Sequence, residues 1–427
     1  MTFKLKIIYN LLEIKILKFL FKNNISKIQK IKWNYFLKKI NQSPFYQSFI
    51  GGSFRNFPVL EKKDFLKNFD LINTKSIKYS DAVKVALKAE NTRNFKPSIK
   101  GITVGLSTGT SGNKSVFLAS ENERAYWVAA VIDRVIGWSF KKRKIAFFLR
   151  ANSNLYESVN SKLIDFNFFD LLIPNEINLQ KLQALNPTIL VAQTSMLLVI
   201  ADALINKGLK INPEKIISIA EVLSKEDKHY LEKIFSKKIH QVYQCNEGFL
   251  AHTCEKGNLH FNEDLLIIEK EYIDKEKKRF FPIITDLNRT TQPVIRYKLD
   301  DIIHEKLDCQ CQLKSTAIEM IEGRKDDVLK LLNINGEEVI VFPDFMRRAI
   351  VFSDDNIVNY SLTQVNENEL NLFVEGEIQY FEKAKNSILE ILKKLKVSNI
   401  IINYNKKLDH IKGTKLRRIK NEFKNSN

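Results

Sequence analysis

Apolar residues along this chain follow two periods. Between about residues 144 and 224, the runs KIAFFLR, TILVAQ and IISIAEVLS alternate with stretches in which Leu, Ile and Ala recur every three or four positions. Short β-branched and aromatic runs bounded by polar loops fit strands buried on both faces, and their alternation with helices predicts a layered α/β domain with parallel strands. The longest nearly uncharged run, ILVAQTSMLLVI, contains Gln193, Thr194 and Ser195 and precedes Asp202, so it reads as a buried strand leading into a helix from about Ser195. Further on, VIVFPDFMRRAIV, IVNYSLTQV, ELNLFVEGE, a lysine-rich helical stretch and NIIINY predict a small α+β domain. Internal repeats and low-complexity linkers are absent from the sequence.

The first forty residues differ from the rest. Met1 to Ile40 mixes Lys4, Lys6, Lys15, Lys18 and Lys22 with Leu, Ile and Phe at helical spacing, which predicts a basic amphipathic helix. Charges break its apolar runs well before the roughly 20 residues a membrane-spanning helix needs, and no small-residue cleavage site follows. Two readings stay open: the helix docks on the main domain, or it binds an anionic membrane surface as a peripheral contact.

At 427 residues the chain can bury a large core and accommodate one big domain and one small one. The net charge is +19, from 68 Lys and Arg against 49 Asp and Glu, but the excess is mostly Lys and reflects a Lys/Ile/Asn bias of AT-rich coding as much as a partner. There is no nucleic-acid recognition module, and positive charge is spread along the chain, so nucleic acid is not an expected partner. With four cysteines and no secretory signal, disulfides are not expected and a cytoplasmic setting is.

Candidate chemistry starts at LSTGTSGNKSV, residues 106–116. Ser107, Thr108, Thr110 and Ser111 supply short hydroxyl donors, Gly105, Gly109 and Gly112 permit positive dihedrals and close approach, and Lys114 adds a cation, a composition suited to gripping a triphosphate. The P-loop pattern is excluded, because Asn113 stands where it needs glycine. Four more segments follow in order: YQCNEG at 243–248, TDLNRTTQPVIRYKLDD at 285–301, GRKDD at 323–327 and GTKLRR at 413–418.

Together these five segments resemble the adenylate-forming superfamily of acyl-CoA synthetases, nearest its short phenylacetate-CoA ligase branch and related capsular polysaccharide biosynthesis proteins. The resemblance runs from about Ser107 almost to the C-terminus. It implies a large layered N-terminal adenylation domain, residues 46–322, following the helical segment 1–45, with a hinge at 323–327 and a small mobile C-terminal domain at 328–427. Glu247 would hold the Mg²⁺ that bridges the ATP phosphates, with Tyr243 against the adenine; Gln244 and Asn246 depart from the usual glycine and threonine. Asp301 would accept hydrogen bonds from the ribose hydroxyls. Asp300 replaces the usual glycine and reads as a solvated neighbour, since adjacent carboxylates on extended backbone point apart. Asp286 and Arg289 are expected to support this loop, and Arg296 either to pair with a phosphate or to form a salt bridge. Arg324 would sit near the nucleotide, Asp326 would be the pivot of the small domain, and Lys415 would neutralise charge on the α-phosphate as acyl-AMP forms.

The implied reaction joins a carboxylic acid to AMP with release of pyrophosphate, then passes the acyl group to coenzyme A or an amine, with a capsule pathway as one setting. The alternative is a non-catalytic, membrane-associated scaffold at the inner face of the membrane. Arg150, Asn152 and Ser153, at the end of a predicted strand, could line the acyl pocket, contact phosphate or cap a helix. Cys254, His260, Cys309 and Cys311 offer three thiolates and one imidazole, enough for a structural zinc site, with buried free cysteines as the other reading. Cys245 and His252 fit that set less well.

Overall fold

The runs read as buried strands pair side by side. In the computed structural model, strands Ile164–Asp170, Arg143–Leu149, Ile189–Gln193, Lys215–Ile219 and Ile239–Cys245 lie in that spatial order, every neighbouring pair parallel. The structure describes the chain except residues 22–23, 93, 95–97, 107–115, 138, 140, 150–159, 355, 358, 398, 409–415 and 424–427, and the side chains of Glu90, Asp326 and Asp344. The strand made first thus sits between the second and third, a topological switch point, and sheets of this kind bind ligands beyond the carboxyl ends of their strands. All of Ile189–Gln193 is buried, as its unbroken apolar pattern requires. Helices Asn175–Leu185, Thr194–Asn206 and Lys225–Phe235 form crossovers, and Phe148, Leu190, Leu197, Ile200, Ile216 and Leu231 are part of the shared core.

After Cys245 the sheet turns antiparallel. Cys245 pairs with Gly248, so Asn246 and Glu247 form the two-residue turn into strand Gly248–Thr253, and a bulge lies between Tyr243 and Gln244. Strand Leu259–Phe261 follows, and Leu266–Tyr272 pairs with Arg279–Asp286 farther out. A separate three-stranded sheet contains Ile102–Leu106 and Val116–Ala119, antiparallel with Leu106 opposite Val116. Gly105 is extended there rather than left-handed: its partner Phe117 lays its ring where any Cβ would stand.

Two compact units divide the chain, Met1–Leu299 with Glu305–Met320, and Asp300–His304 with Ile321–Asn427. In the second, strands Ile401–Tyr404, Glu369–Val374, Tyr360–Asn366 and Ile419–Asn421 form a sheet in that order. Helix Ile378–Lys394 buries Phe381, Ala384, Ile388 and Leu392, spaced three or four apart, in a core with Leu362 and Leu372. The α/β class, with a large layered domain and a small α+β one, is therefore the architecture found.

The N-terminal helix Phe3–Leu20 packs on helix Glu121–Val131, whose start is fixed by a capping box between Ser120 and Glu123. Leu11 and Ile14 are buried, while Lys6 pairs with Glu121 at 2.7 Å and Lys15 and Lys18 each reach Asp133 at 3.0 Å. Docking on the main domain is thus observed. Among the described residues no helix is long and apolar enough to cross a membrane.

Candidate active site

Three strand ends converge at the carboxyl edge of the parallel sheet. Gln193 and Thr194 are buried where one strand meets its helix, and Thr194 Oγ1 lies 2.9 Å from Ser218 Oγ on the next strand. Ser195 donates to Glu221 through its backbone N–H at 2.9 Å and its hydroxyl at 3.0 Å. Between these strands and Glu221, Ala220 adopts φ +65°, a left-handed conformation that costs a non-glycine residue on the order of 1 kcal/mol or more. On the third strand Tyr243 is buried, and the adjacent bulge re-aims Gln244, whose amide oxygen accepts from Trp127 Nε1 at 3.0 Å. The half-buried Glu247 occupies the turn that follows.

One side-chain knot fixes that turn. Arg289 donates to the carbonyl of Asn246, to Leu118 O at 3.2 Å and to Gln292 Oε1 at 3.1 Å. The buried Gln292 accepts from Leu118 N at 3.0 Å and donates to Val116 O at 3.4 Å. Glu123 accepts from Thr291 N at 2.7 Å. Arg289 therefore joins the strand leaving the hydroxyl segment to the turn bearing Glu247, and Gln292 braces it from the strand side. Beneath them, burial pushes the Asp286 carboxyl up to about 6, against the opposing pull of Arg289 and of the Asn288 N–H that donates to it at 2.9 Å. A Cβ at Gly248 would approach Asp286 Oδ2 to 2.9 Å, so any larger residue there would displace that carboxylate.

This corrects the expectation that Arg289 supports the segment bearing Asp301, since its partners are the Glu247 turn and the Leu118 strand; Asp286 accepts from Asn288 in the turn that follows its own strand. The Arg289–Gln292 clamp was not read from the sequence, although charged and amide residues directly after a buried strand were a usable signal. Ser107, Thr108, Gly109, Thr110, Ser111, Gly112 and Lys114 lie outside the described residues, as do Arg150, Asn152 and Ser153. Arg296 forms a forked ion pair with Glu269, both contacts at 2.9 Å, and donates to the carbonyls of Arg55 and Phe57 at 2.9 and 2.8 Å. Its guanidinium is thus committed to tying strand Leu266–Tyr272 to the segment 55–57.

In the second unit Arg324 lies between two carboxylates, 3.7 Å from Asp300 and 3.6 Å from Asp301. Asp300 is therefore a charge partner of Arg324 and not merely a solvated neighbour. Arg417 grips the buried Asp327 through Nε at 2.6 Å and through Nη2, and Asp327 also accepts from Arg324 N at 3.1 Å. Burial raises the Asp327 pKa, and Arg417 opposes that rise. Asn421 donates to Val328 O at 3.1 Å, so the chain following 415 is tied to the segment following 326. Lys415 itself and the Asp326 side chain lie outside what the structure describes.

Cys254, His260, Cys309 and Cys311 come together, their ligand atoms all within 4.8 Å of one another. Cys254 Sγ is 3.9 Å from Cys309 Sγ, and Cys311 Sγ is 3.3 Å from His260 Nε2. A tetrahedron with metal–sulfur arms of ~2.3 Å has edges of ~3.8 Å, so this donor set fits zinc. His260 Nδ1–H donates to Ser315 O at 2.9 Å, which turns the Nε2 lone pair inward, and Asn258 and the backbone N–H of Leu313 donate to Cys309 and Cys311 sulfur at 3.2 and 3.3 Å. His252 is instead paired with Asn262 at 2.6 Å, its pKa lowered to about 3 mainly by burial. Cys245 lies near Gly248 O at 3.9 Å, outside the four-residue group.

No family model and no curated protein matches the chain. Solved structures do match its fold. 2-Hydroxyisobutyryl-CoA ligase, in the postadenylation state with 2-HIB-AMP, superposes with a TM-score of 0.64 at 16% identity, over 93% of this chain and 88% of that one. An anthranilate CoA ligase bound to anthranoyl-AMP gives 0.53 at 12% identity over 74% and 66% of the two chains. A benzoate CoA ligase from Burkholderia xenovorans LB400 gives 0.52 at 13% identity over 76% and 69%. The chain has the fold of the adenylate-forming CoA ligases.

Proposed function

We propose that this chain activates a carboxylic acid. The acid's carboxylate oxygen attacks the α-phosphorus of ATP, a P–O bond to the β-phosphate breaks, and acyl-AMP and pyrophosphate result; a thiolate of coenzyme A then attacks the acyl carbon and AMP departs. The observation that carries this reading is the Arg289–Gln292 clamp, which joins the strand after the hydroxyl segment to the Glu247 turn at the ligand-binding edge of the sheet. Ser107, Thr108, Gly109, Thr110, Ser111, Gly112 and Lys114 would hold the β- and γ-phosphates, Tyr243 the adenine and Asp301 the ribose. Glu247 would hold Mg²⁺, which neutralises phosphate charge when bound. Arg324 would fix the orientation of Asp301, and Lys415 would neutralise charge on the α-phosphate after rotation about Asp326.

Coenzyme A is favoured over an amine as acceptor because the matched folds are those of CoA ligases. The Cys254, His260, Cys309 and Cys311 set would hold a structural zinc that staples the hairpin after Thr253 to the loop after Lys306. The test is acid-dependent pyrophosphate release from ATP and Mg²⁺ over aryl, fatty, hydroxy, amino and sugar acids. Release with one class, lost in Lys415→Ala, supports the reading; ATP binding without release for every class favours the scaffold alternative.

A further inference from the structure

The N-terminal helix Phe3–Leu20 is apolar on the side that faces away from the protein. Its inner side buries Leu11 and Ile14 and spends Lys6, Lys15 and Lys18 on ion pairs with Glu121 and Asp133. Its outer side presents Leu5, Ile8, Leu12, Ile16, Phe19 and Leu20, each more than half exposed and Phe19 83% exposed. Steps of three and four keep these six on one stripe. Surface helices ordinarily turn such a stripe toward the core; here the core side is already occupied, and the protein's own acids anchor the lysines. Continuous exposed apolar surface of this kind marks an interaction site.

Charge selects the occupant. Met1–Ile40 contains ten lysines and one glutamate. The second helix, Ile25–Ile40, has no acidic residue and exposes Lys27, Lys30, Lys38 and Lys39 around the exposed Ile31 and Tyr35. A second copy of this chain would bring two like-charged surfaces together, whereas an anionic bilayer offers both the apolar boundary and the countercharge. The helix is too short and too charged to span, so its place is in the interfacial plane.

We infer that the outer stripe of Phe3–Leu20, with the lysines of Ile25–Ile40, seats this protein on an anionic lipid bilayer. The seat is independent of the acid-activation reading and holds whether or not the chain is an active ligase.

Full-length protein is sedimented with phosphatidylcholine vesicles and with vesicles that also contain phosphatidylglycerol, alongside a Leu12→Glu/Ile16→Glu variant and a variant with Lys27, Lys30, Lys38 and Lys39 changed to Gln. We expect binding to the anionic vesicles that weakens with salt and falls by about tenfold or more in either variant. Because all six substituted side chains are exposed, thermal unfolding of both variants should match the parent. Equal sedimentation of parent and stripe variant, or none with either vesicle, overturns the inference. So does a dimer by light scattering that the stripe variant converts to monomer, since that would show the stripe to be a self-association surface.

Discussion

Replacing Arg289 with Met removes the donor that holds the Glu247 turn to the Leu118 strand, and the structure sets the size of the effect in two ways. The guanidinium serves two backbone carbonyls and the Gln292 amide oxygen. Charge-assisted bonds are worth ~1.5–3 kcal/mol each, but Leu118 and Gln292 keep one another, so the destabilisation should be about 3 kcal/mol and not the full sum. Asp286 supplies the second effect. Its pKa of about 6 in the folded chain, against 3.8 unfolded, means the folded state holds a proton that the unfolded state has lost across that interval. The contribution of this group is fully present below pH 3.8 and falls by ~3 kcal/mol as pH rises to about 6. Arg289 is the main group opposing that rise, so Arg289→Met should move the upper limit of the window above 6. The destabilisation relative to parent should therefore grow between pH 5 and 8, by ~1.4 kcal/mol for each unit the limit moves. Denaturant unfolding at a series of pH values measures this directly, and acid-dependent pyrophosphate release should fall by on the order of 10²-fold through misplacement of the Glu247 turn. A variant with a constant destabilisation from pH 5 to 8 and undiminished release would refute the clamp.

Three further outcomes can be checked. Burial lowers the pKa of Lys32, which donates to the Tyr126 hydroxyl, from 10.5 to about 8, so the folded state releases this proton first and stability should rise by ~3 kcal/mol between pH 8 and 10.5. Lys32→Met should flatten that rise in chemical unfolding. Purified protein should carry about one zinc per chain by elemental analysis, and Cys309→Ser should lose the metal and lower the thermal midpoint. Arg417→Met should leave Asp327 buried without its main counter-charge, cost ~3 kcal/mol, and reduce the turnover of adenylation more than ATP affinity, by loosening the chain next to Lys415.

KIAFFLR, TILVAQ and IISIAEVLS were legible as strands of the parallel sheet because they are compact apolar runs, whereas Ile164–Asp170 and Ile239–Cys245, mostly half-buried, were not read as its strands. TILVAQ could hardly be anything but a strand, and Thr194 begins the helix one residue from where the pattern places it. Apolar runs also located the α+β strands from Tyr360 to Tyr404, although Ile401–Tyr404 is exposed at both ends. The spatial order was not legible, since which strand lies between which depends on crossovers and not on side-chain period. Nor were polar ties between segments far apart in sequence: Arg289 reaches Leu118 across 171 positions. Arg324 pairing with both Asp300 and Asp301 was hidden for another reason. A guanidinium spans the angle between adjacent carboxylates, so alternation along extended backbone does not separate their roles. The N-terminal helix carried a mixed signal because it is apolar on two sides, one buried and one open.

The most direct measurement of acid activation is capture of the intermediate. Protein incubated with ATP, Mg²⁺ and the acid that releases pyrophosphate, without coenzyme A, should yield an acyl-AMP detectable by mass spectrometry after quenching, and adding coenzyme A should convert it to thioester and AMP. Glu247→Gln and Lys415→Ala should each reduce the acyl-AMP formed. Formation of ADP and phosphate in place of acyl-AMP and pyrophosphate, or acyl-AMP from both variants undiminished relative to the parent, would contradict the account.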